Sequence, residues 1–342
     1  MNYKIAQLIK PGQFAHSQKE SDGLSPHEIL VKVNFCAICG SDLRIFKHGN
    51  ERIAYPVVIG HEVSGTVVET RHNDYYKGQR VGIGADIPCG ECIRCKSGKP
   101  NLCMINLAIG YQLQGGFAEY MILDKTLLNH GPIVKVGSNL TSEVLCLGEP
   151  VACAINGIEK INLESKSRVL IFGGGPIGIM IGYLSKKYHD AANIVYIEPS
   201  NERKNFLLKC NFVSEILDPS VCESMVKNGR KFDAIFTCCS VPKVHEYAVK
   251  LVDKGGRVNF FGGLAKPSPE IAIITNNLHY DEITLTGSHG STPKQHKKAC
   301  EYLEENEEFF ASLISKIYPL EKINEAFDEA LSGKSLKILV KP

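Results

Sequence analysis

The sequence predicts an α/β protein of two domains, a β-rich segment followed by a doubly wound parallel sheet. Three observations carry that reading. The first 150 residues are turn-rich and hold short strand candidates bounded by glycine or charge. Beyond residue 166 the rhythm changes to alternating strands and helices, the pattern of helical crossovers on a parallel sheet. A glycine-rich turn at 173–178 sits where a strand gives way to a helix. With 342 residues, 44% of them hydrophobic, the chain is long enough to bury two cores.

In the first segment, "HEILVKVNFCAICG" (27–40), "VSGTVVET" (63–70) and "GGFAEYMIL" (115–123) are the strand candidates. In the second, "RVLIFGGG" (168–175) runs into glycines, and a helical stretch follows to Tyr188. Further strands are predicted at 193–198, 214–218, 232–240 and 255–263, with helical segments between them and a sixth strand at 282–288. The tail adds helical patterns over 293–310 and 320–332 and a final strand at 336–340. No repeat or low-complexity linker interrupts the chain. The shift at 150–166 marks the boundary, giving domains over 1–150 and 151–289 with a C-terminal part at 290–342.

Composition narrows the function classes. The formal net charge is +2, from 39 basic and 37 acidic residues, without the basic stripe of a nucleic-acid binder. The densest charge run, "EYLEENEEFF" (301–310), reads as a solvated helix face. Thirteen cysteines, an odd number, suit a reducing compartment better than a disulfide framework. The N-terminus has no apolar signal region, and no run approaches about 18 apolar residues. The expectation is a soluble, cytoplasmic protein with no membrane or nucleic-acid partner.

Gly173-Gly174-Gly175-Pro176-Ile177-Gly178 contains Gly-x-Gly-x-x-Gly between a strand and a helix, and Glu198 ends the next strand. That context is the fingerprint of a Rossmann dinucleotide site. Gly173 permits the tight turn, Gly175 lets backbone approach the pyrophosphate, and Gly178 lets helix pack on strand. A carboxylate at Glu198 suits the ribose hydroxyls of NAD and repels a 2′-phosphate; Arg203 is near enough in sequence to soften that repulsion. The expectation is NAD in preference to NADP.

"CGECIRCKSGKPNLC" places Cys89, Cys92, Cys95 and Cys103 in a fifteen-residue polar loop. A closed tetrahedral zinc site needs four such thiolates. Ferredoxin clusters also begin with two Cys-x-x-Cys steps but continue with three residues, cysteine and proline. Here seven residues intervene and Met104 follows. A four-thiolate site has no vacancy for substrate, so this zinc is expected to be structural. Hydride chemistry needs a Lewis acid with an open position. Cys39 in "CGSD" and His61-Glu62, 22 residues later, make a plausible three-ligand set with that vacancy. Taken singly, each is a core or surface residue more often than a ligand.

"CGSD", "GHE", the four-cysteine loop, "GGFAEY", "GEPVACA", "GGGPIG" and "GGRVNFFGG" occur in that order. In this the chain resembles, over essentially its full length, the zinc-dependent medium-chain dehydrogenases, and most of all their sorbitol (polyol) dehydrogenase branch. The resemblance implies a GroES-like catalytic domain over 1–150 to which 290–342 returns, and a Rossmann NAD-binding domain over 151–289. It also implies two zincs per subunit and a homodimer or homotetramer. Cys39 and His61 are then catalytic-zinc ligands, and Glu62 is the next ligand or lies just behind it. Glu149 in "GEP" binds the zinc directly or through its water, with Cys153 a competitor one helical turn on. Ser41 takes the alcohol proton. The implied reaction oxidises a secondary alcohol of a polyol, sugar alcohol or cyclitol to the ketone with NAD. L-Threonine, a sugar phosphate or a simple alcohol are alternative substrates, and a non-catalytic nucleotide-binding homologue is the alternative from another class.

One departure matters. Relatives commonly carry a histidine five residues after the ligand cysteine, and here that position is Arg44. A guanidinium is always charged and carries protons poorly. The proton path beyond Ser41 must therefore differ, and Arg44 is expected to pair with Asp42 or Glu51. His48 and His289 have no assigned role.

Overall fold

The computed structural model describes residues 1–21, 23–264 and 270–342. The chain divides into two compact units, Met1–Ala152 with Gly290–Pro342, and Cys153–His289.

The first unit is built on the strand Ile29–Ala37, whose side chains are almost all buried. It pairs antiparallel with Glu62–Thr70, Tyr120–Leu123 and the C-terminal strand Lys337–Lys341. The sheet continues outward through Arg80–Ile83 and Ile133–Val136 on one side and Ile314–Pro319 on the other. Two registers decide which residues meet: Ala37 faces Glu62, and Leu339 faces Ala37. They bring to one sheet end the residues just after position 37, those at 61–62, and Lys337. A separate hairpin, Asn2–Lys10 with Gln13–Glu20, turns at Pro11–Gly12. Phe14 of this hairpin packs edge-on to Phe327 at 4.8 Å, and Phe46 and Phe117 lie 5.1 and 5.7 Å from the same ring. Phe327 is fully buried, and truncating such a ring costs about 3–5 kcal/mol. The C-terminal segment is thus part of the first unit's core.

The second unit is a six-stranded, wholly parallel sheet. Its order is Glu215–Leu217, Asn193–Ile197, Arg168–Phe172, Phe232–Thr237, Val252–Phe260 and Thr284–Gly287. The apolar runs "VLIF" and "IVYI" are buried throughout, as strands covered on both faces require. Chain order reverses on either side of Arg168–Phe172, so the turn that leaves this strand is the switch point where such sheets bind ligands.

Several elements differ from expectation. Of 115–123 only Tyr120–Leu123 is strand: a Cβ on Gly115 would collide with the backbone at Ile59–Gly60, and one on Gly116 with the Val63 and Cys36 side chains. The pattern at 293–310 is two helices, Pro293–Glu305 and Glu307–Ser312, broken where Asn306 leaves helical geometry. The helix near 320 begins at Ile323 after a 3₁₀ turn.

His296, on the helix Pro293–Glu305, is completely buried, and neither ring nitrogen finds a partner among the described residues. Its ring fills the space left by Gly84 and Gly148, and burial lowers its pKa to about 4. The unfolded chain takes up this proton first, so stability must fall as pH drops from 6.5 towards 4. The loss from this residue is on the order of 3 kcal/mol. Urea denaturation at pH 7 and pH 4.5 should show that loss in the wild type, and His296→Leu should largely abolish it.

Candidate metal centres and dinucleotide site

Cys39 caps the helix Gly40–His48, and Asp42 closes the cap. Asp42 Oδ2 accepts from the Cys39 N–H at 2.9 Å, while Oδ1 lies 3.3 Å from His61 Nδ1. Asp42 is fully buried and so braces the backbone of one candidate ligand and the ring of the other. It therefore does not serve Arg44, which is exposed. The Nδ1 contact leaves Nε2 to face the cluster, 3.3 Å from Ser41 Oγ. Cys39, His61 and Glu62 each place a ligand atom within 4.8 Å of the others. Burial works against a charged His61, but Asp42 and then Cys39 outweigh it and hold the imidazole pKa well above its ordinary value.

Glu62 has a second partner. Lys337 Nζ donates to Oε1 at 2.6 Å and also to Oε2, with the Ile38 carbonyl 3.3 Å away. Both side chains are sealed from water, at 5% and 0% exposure. Burial lowers the lysine pKa, but the Glu62 carboxylate more than reverses this. Counting Cys39 as the thiolate that metal binding requires, Cys39, Asp42 and Glu62, with Glu149 close enough to act on the same lysine, outnumber the one ammonium. That negative surplus suits a dication, and a thiolate with an imidazole is a donor set that fits zinc. Glu149, in the first turn of the helix Gly148–Ile161, is also buried but lies outside the 4.8 Å group. Cys153 follows on the same helix, His48 ends the helix Gly40–His48 exposed to solvent, and the His289 carbonyl lies 3.3 Å from the Asn156 amide.

The four-cysteine loop converges too. Cys89, Cys92, Cys95 and Cys103 place their sulfurs within 4.8 Å of one another, with closest pairs at 3.5 and 3.9 Å. Zinc–sulfur bonds of about 2.3 Å imply a tetrahedron edge of about 3.8 Å, which these spacings match. Backbone donors, Met104 first, lower Cys92 to about 6, while burial and the Cys92 thiol push Cys95 up to about 12. Four crowded thiols cannot all ionise unaided, and a dication relieves that conflict.

In the second unit, Gly173 has φ +103°, and a Cβ on Gly178 would collide with the Gly173 carbonyl oxygen. Only glycine fits either position. Gly175 caps the helix Pro176–His189, with Pro176 and Ile177 in its first turn. Glu198 is 1% exposed, its two oxygens accepting from Gly174 N–H at 2.5 Å and Ser200 N–H at 2.8 Å. Arg203 Nη1 stands 3.9 Å from Glu198. Among the described residues no helix is long and apolar enough to cross a membrane.

Lys337 and Tyr111, whose ring centre lies 6.1 Å from that of His61, escaped the sequence reading, and Asp42 entered it only as one of two possible partners of Arg44. Only Asp42 had a signal, its position three residues after a helix cap.

Residues 25–133 match the model of the alcohol dehydrogenase GroES-like domain, and residues 176–305 that of the zinc-binding dehydrogenases. D-arabinitol dehydrogenase 1 of Uromyces fabae is 29% identical over 97% of this chain and 95% of its own. Sorbitol dehydrogenase of Halalkalibacterium halodurans is 26% identical over 97% and 96%. The structure of 2R,3R-butanediol dehydrogenase from Bacillus subtilis superposes with a TM-score of 0.87 at 26% identity, covering 99% of each chain. A Sinorhizobium meliloti chain solved with NADP bound gives 0.90 at 25% identity, covering 100% of each.

The Lys337–Glu62 pair makes a stability prediction. Lys337→Met leaves a buried carboxylate without its counter-charge and should cost about 3–5 kcal/mol. The double variant Lys337→Met/Glu62→Gln should recover most of that loss in urea denaturation, because no lone charge then remains.

Proposed function

We propose that a secondary hydroxyl of a polyol, sugar alcohol or cyclitol is the substrate of this chain, which belongs to the zinc-dependent medium-chain dehydrogenases and is an oxidoreductase of alcohol groups. The observation that supports this reading most is the convergence of Cys39, His61 and Glu62 beside the Ser41 hydroxyl. The names of the polyol dehydrogenases it resembles point the same way.

When bound, zinc supplies a Lewis acid that polarises the substrate oxygen, and the nicotinamide supplies a hydride acceptor. The chain's own groups do the rest. Cys39 and His61 hold the metal, with Asp42 fixing the ring of His61. Glu62, gripped by Lys337, serves chiefly to balance charge, and Glu149 completes the ligand set directly or through water. Proximity favours Glu62 as the ligand, but its two oxygens already share an ammonium. Ser41 accepts the hydroxyl proton. Cys89, Cys92, Cys95 and Cys103 hold a second, structural zinc. In the nucleotide unit, Gly173, Gly175, Pro176, Ile177 and Gly178 form the pyrophosphate turn. Glu198, beside Arg203, receives the ribose of NAD in preference to NADP. The thiolate-rich ligand sets suit a reducing, cytoplasmic setting. Homodimer and homotetramer both accord with the family.

Metal analysis and a substrate screen test the reading. The wild type should carry two zincs and reduce NAD with sorbitol, arabinitol or a cyclitol, at a kcat/KM at least about tenfold above that with NADP. Cys39→Ser should carry one zinc and lose turnover by about 10³-fold or more while keeping NAD affinity; full activity in a Cys39→Ser enzyme freed of that metal would sink the proposal. Glu149→Ala should lose catalytic zinc during dialysis, and Glu62→Gln should retain it; the reverse ranking would make Glu62 the ligand.

A further inference from the structure

One polar cavity of the first unit serves no step of the proposed reaction. It measures about 830 Å³ and is lined by the N-terminal hairpin and by parts of the segments 52–58 and 111–114. That volume is typical of a small-molecule site. Its charged side chains are Lys19, Glu20 and Arg52. Lys19 and Glu20 are exposed on the hairpin, where their opposite charges offset each other. Arg52 is half-buried, and among the described residues no carboxylate pairs with it. Its Nη2 donates to the Asn106 carbonyl at 2.8 Å, and its guanidinium lies 4.9 Å from the Tyr111 ring centre. The Nε and Nη1 donors have no partner among the described residues. Beside it, Gln112 Oε1 accepts from the Ala108 N–H at 3.1 Å, and among the described residues the NH2 of that side chain has no partner. A guanidinium already held in place, with donors to spare, is the planar fork that grips a carboxylate or a phosphate.

The Tyr111 ring lines this cavity and also lies 6.1 Å, centre to centre, from the ring of His61. One aromatic ring thus separates the Arg52 guanidinium from a candidate metal ligand. A substrate whose reacting hydroxyl meets the Cys39, His61 and Glu62 cluster can reach Arg52 with a group carried several carbons further along. We propose that Arg52 and Gln112 form a subsite for an anionic group. The preferred substrate is then an acidic polyol, with a carboxylate or a phosphate ester distant from the hydroxyl that is oxidised. No bond changes at this subsite. Arg52 supplies paired N–H donors and a positive charge, and the Gln112 amide adds a neutral donor. Tyr111, by cation–π contact, and the Asn106 carbonyl hold the guanidinium, so their part is positioning. An arginine fixed before the anion arrives loses little further freedom on binding it.

The inference rests on the proposed dehydrogenase reading, and its test separates the two. Calorimetry needs no turnover. With the zinc-loaded chain, and NADH filling the dinucleotide site, arabinitol, arabinonate and arabinitol 5-phosphate are compared as probes of one carbon skeleton. In the wild type at least one of the two anions should bind about tenfold or more tighter than arabinitol. Preference for arabinonate marks a sugar-acid substrate, and preference for the phosphate marks a polyol phosphate. Arg52→Gln should bring that ratio to within about twofold, and Arg52→Lys, which keeps the charge without the fork, should leave it in between. The same ordering should appear in kcat/KM with NAD. Anions that bind the wild type no tighter than arabinitol overturn the proposal. So does an Arg52→Gln chain that binds all the probes equally less well, since its ratio is then intact and the role of Arg52 is structural. An Arg52-dependent preference in a chain that oxidises none of them upholds the anion site and refutes the dehydrogenase reading. Oxidation of arabinitol without any preference for the anions upholds the dehydrogenase reading and rejects the anion site.

Discussion

A lysine ammonium and a glutamate carboxylate, both shut away from water, organise the catalytic unit. Neither Lys337 nor Glu62 is tolerable there alone, because an isolated buried charge costs several kcal/mol. The pair spans 275 residues of sequence. Its formation requires that the C-terminal strand lie against Ile29–Ala37 with Leu339 facing Ala37, and that Ala37 face Glu62. Those same registers carry Cys39 to His61. Docking of the C-terminal strand and assembly of the Cys39, His61 and Glu62 cluster therefore depend on the same registers. A chain lacking its last strand would strand Glu62 as a lone charge in the middle of the ligand set.

The two metal centres solve opposite problems. The four-cysteine loop gathers its thiols from fifteen consecutive residues, needing short turns and little tertiary structure. Its crowded thiols leave no coordination position to spare. The other candidate cluster takes Cys39 from the helix cap that follows one strand and His61 and Glu62 from the start of another, and surrounds them with charged partners. Such a site is costly to build because charges must be buried. Burial also strengthens every electrostatic effect exerted on a bound substrate. In the proposed reading the sparser set is the one that leaves room for a substrate.

That contrast also explains what could be read from the sequence. Contiguous chemistry was legible: the cysteine spacing, the glycine turn followed by Glu198, and the alternation of strands and helices each reside within a few dozen residues. Cys39, His61 and Glu62 were legible only as a motif series, since their meeting depends on register. Lys337 was not, because a lysine at the start of a terminal strand has no local mark of burial. Asp42 was read as one of two possible partners of Arg44, although its place three residues after Cys39 is a capping position that turns it inward. The N-terminal hairpin and the strand Ile314–Pro319 lack clean alternation, since the latter is largely exposed.

Three buried carboxylates are satisfied in three ways, and the manner determines what each can still do. Asp42 faces a ring nitrogen and a backbone N–H, so its bonds are internal and its task is orientation. Glu62 holds a full positive charge on both oxygens, so a metal must compete with Lys337 for it. Glu198 spends one lone pair of each oxygen on a backbone N–H. Each of its oxygens keeps a second acceptor site, already aimed by the Gly174 and Ser200 amides. A ribose hydroxyl pair meeting Glu198 therefore finds an acceptor already oriented and largely desolvated, which lowers the entropic cost of binding. A 2′-phosphate at the same place meets a carboxylate whose charge those amides only partly offset. Arg203, 3.9 Å away and outside hydrogen-bonding distance of Glu198, is the cation placed to temper that repulsion. In the proposed reading the carboxylate, buried and held by two amides, is better placed to meet the ribose than the guanidinium is.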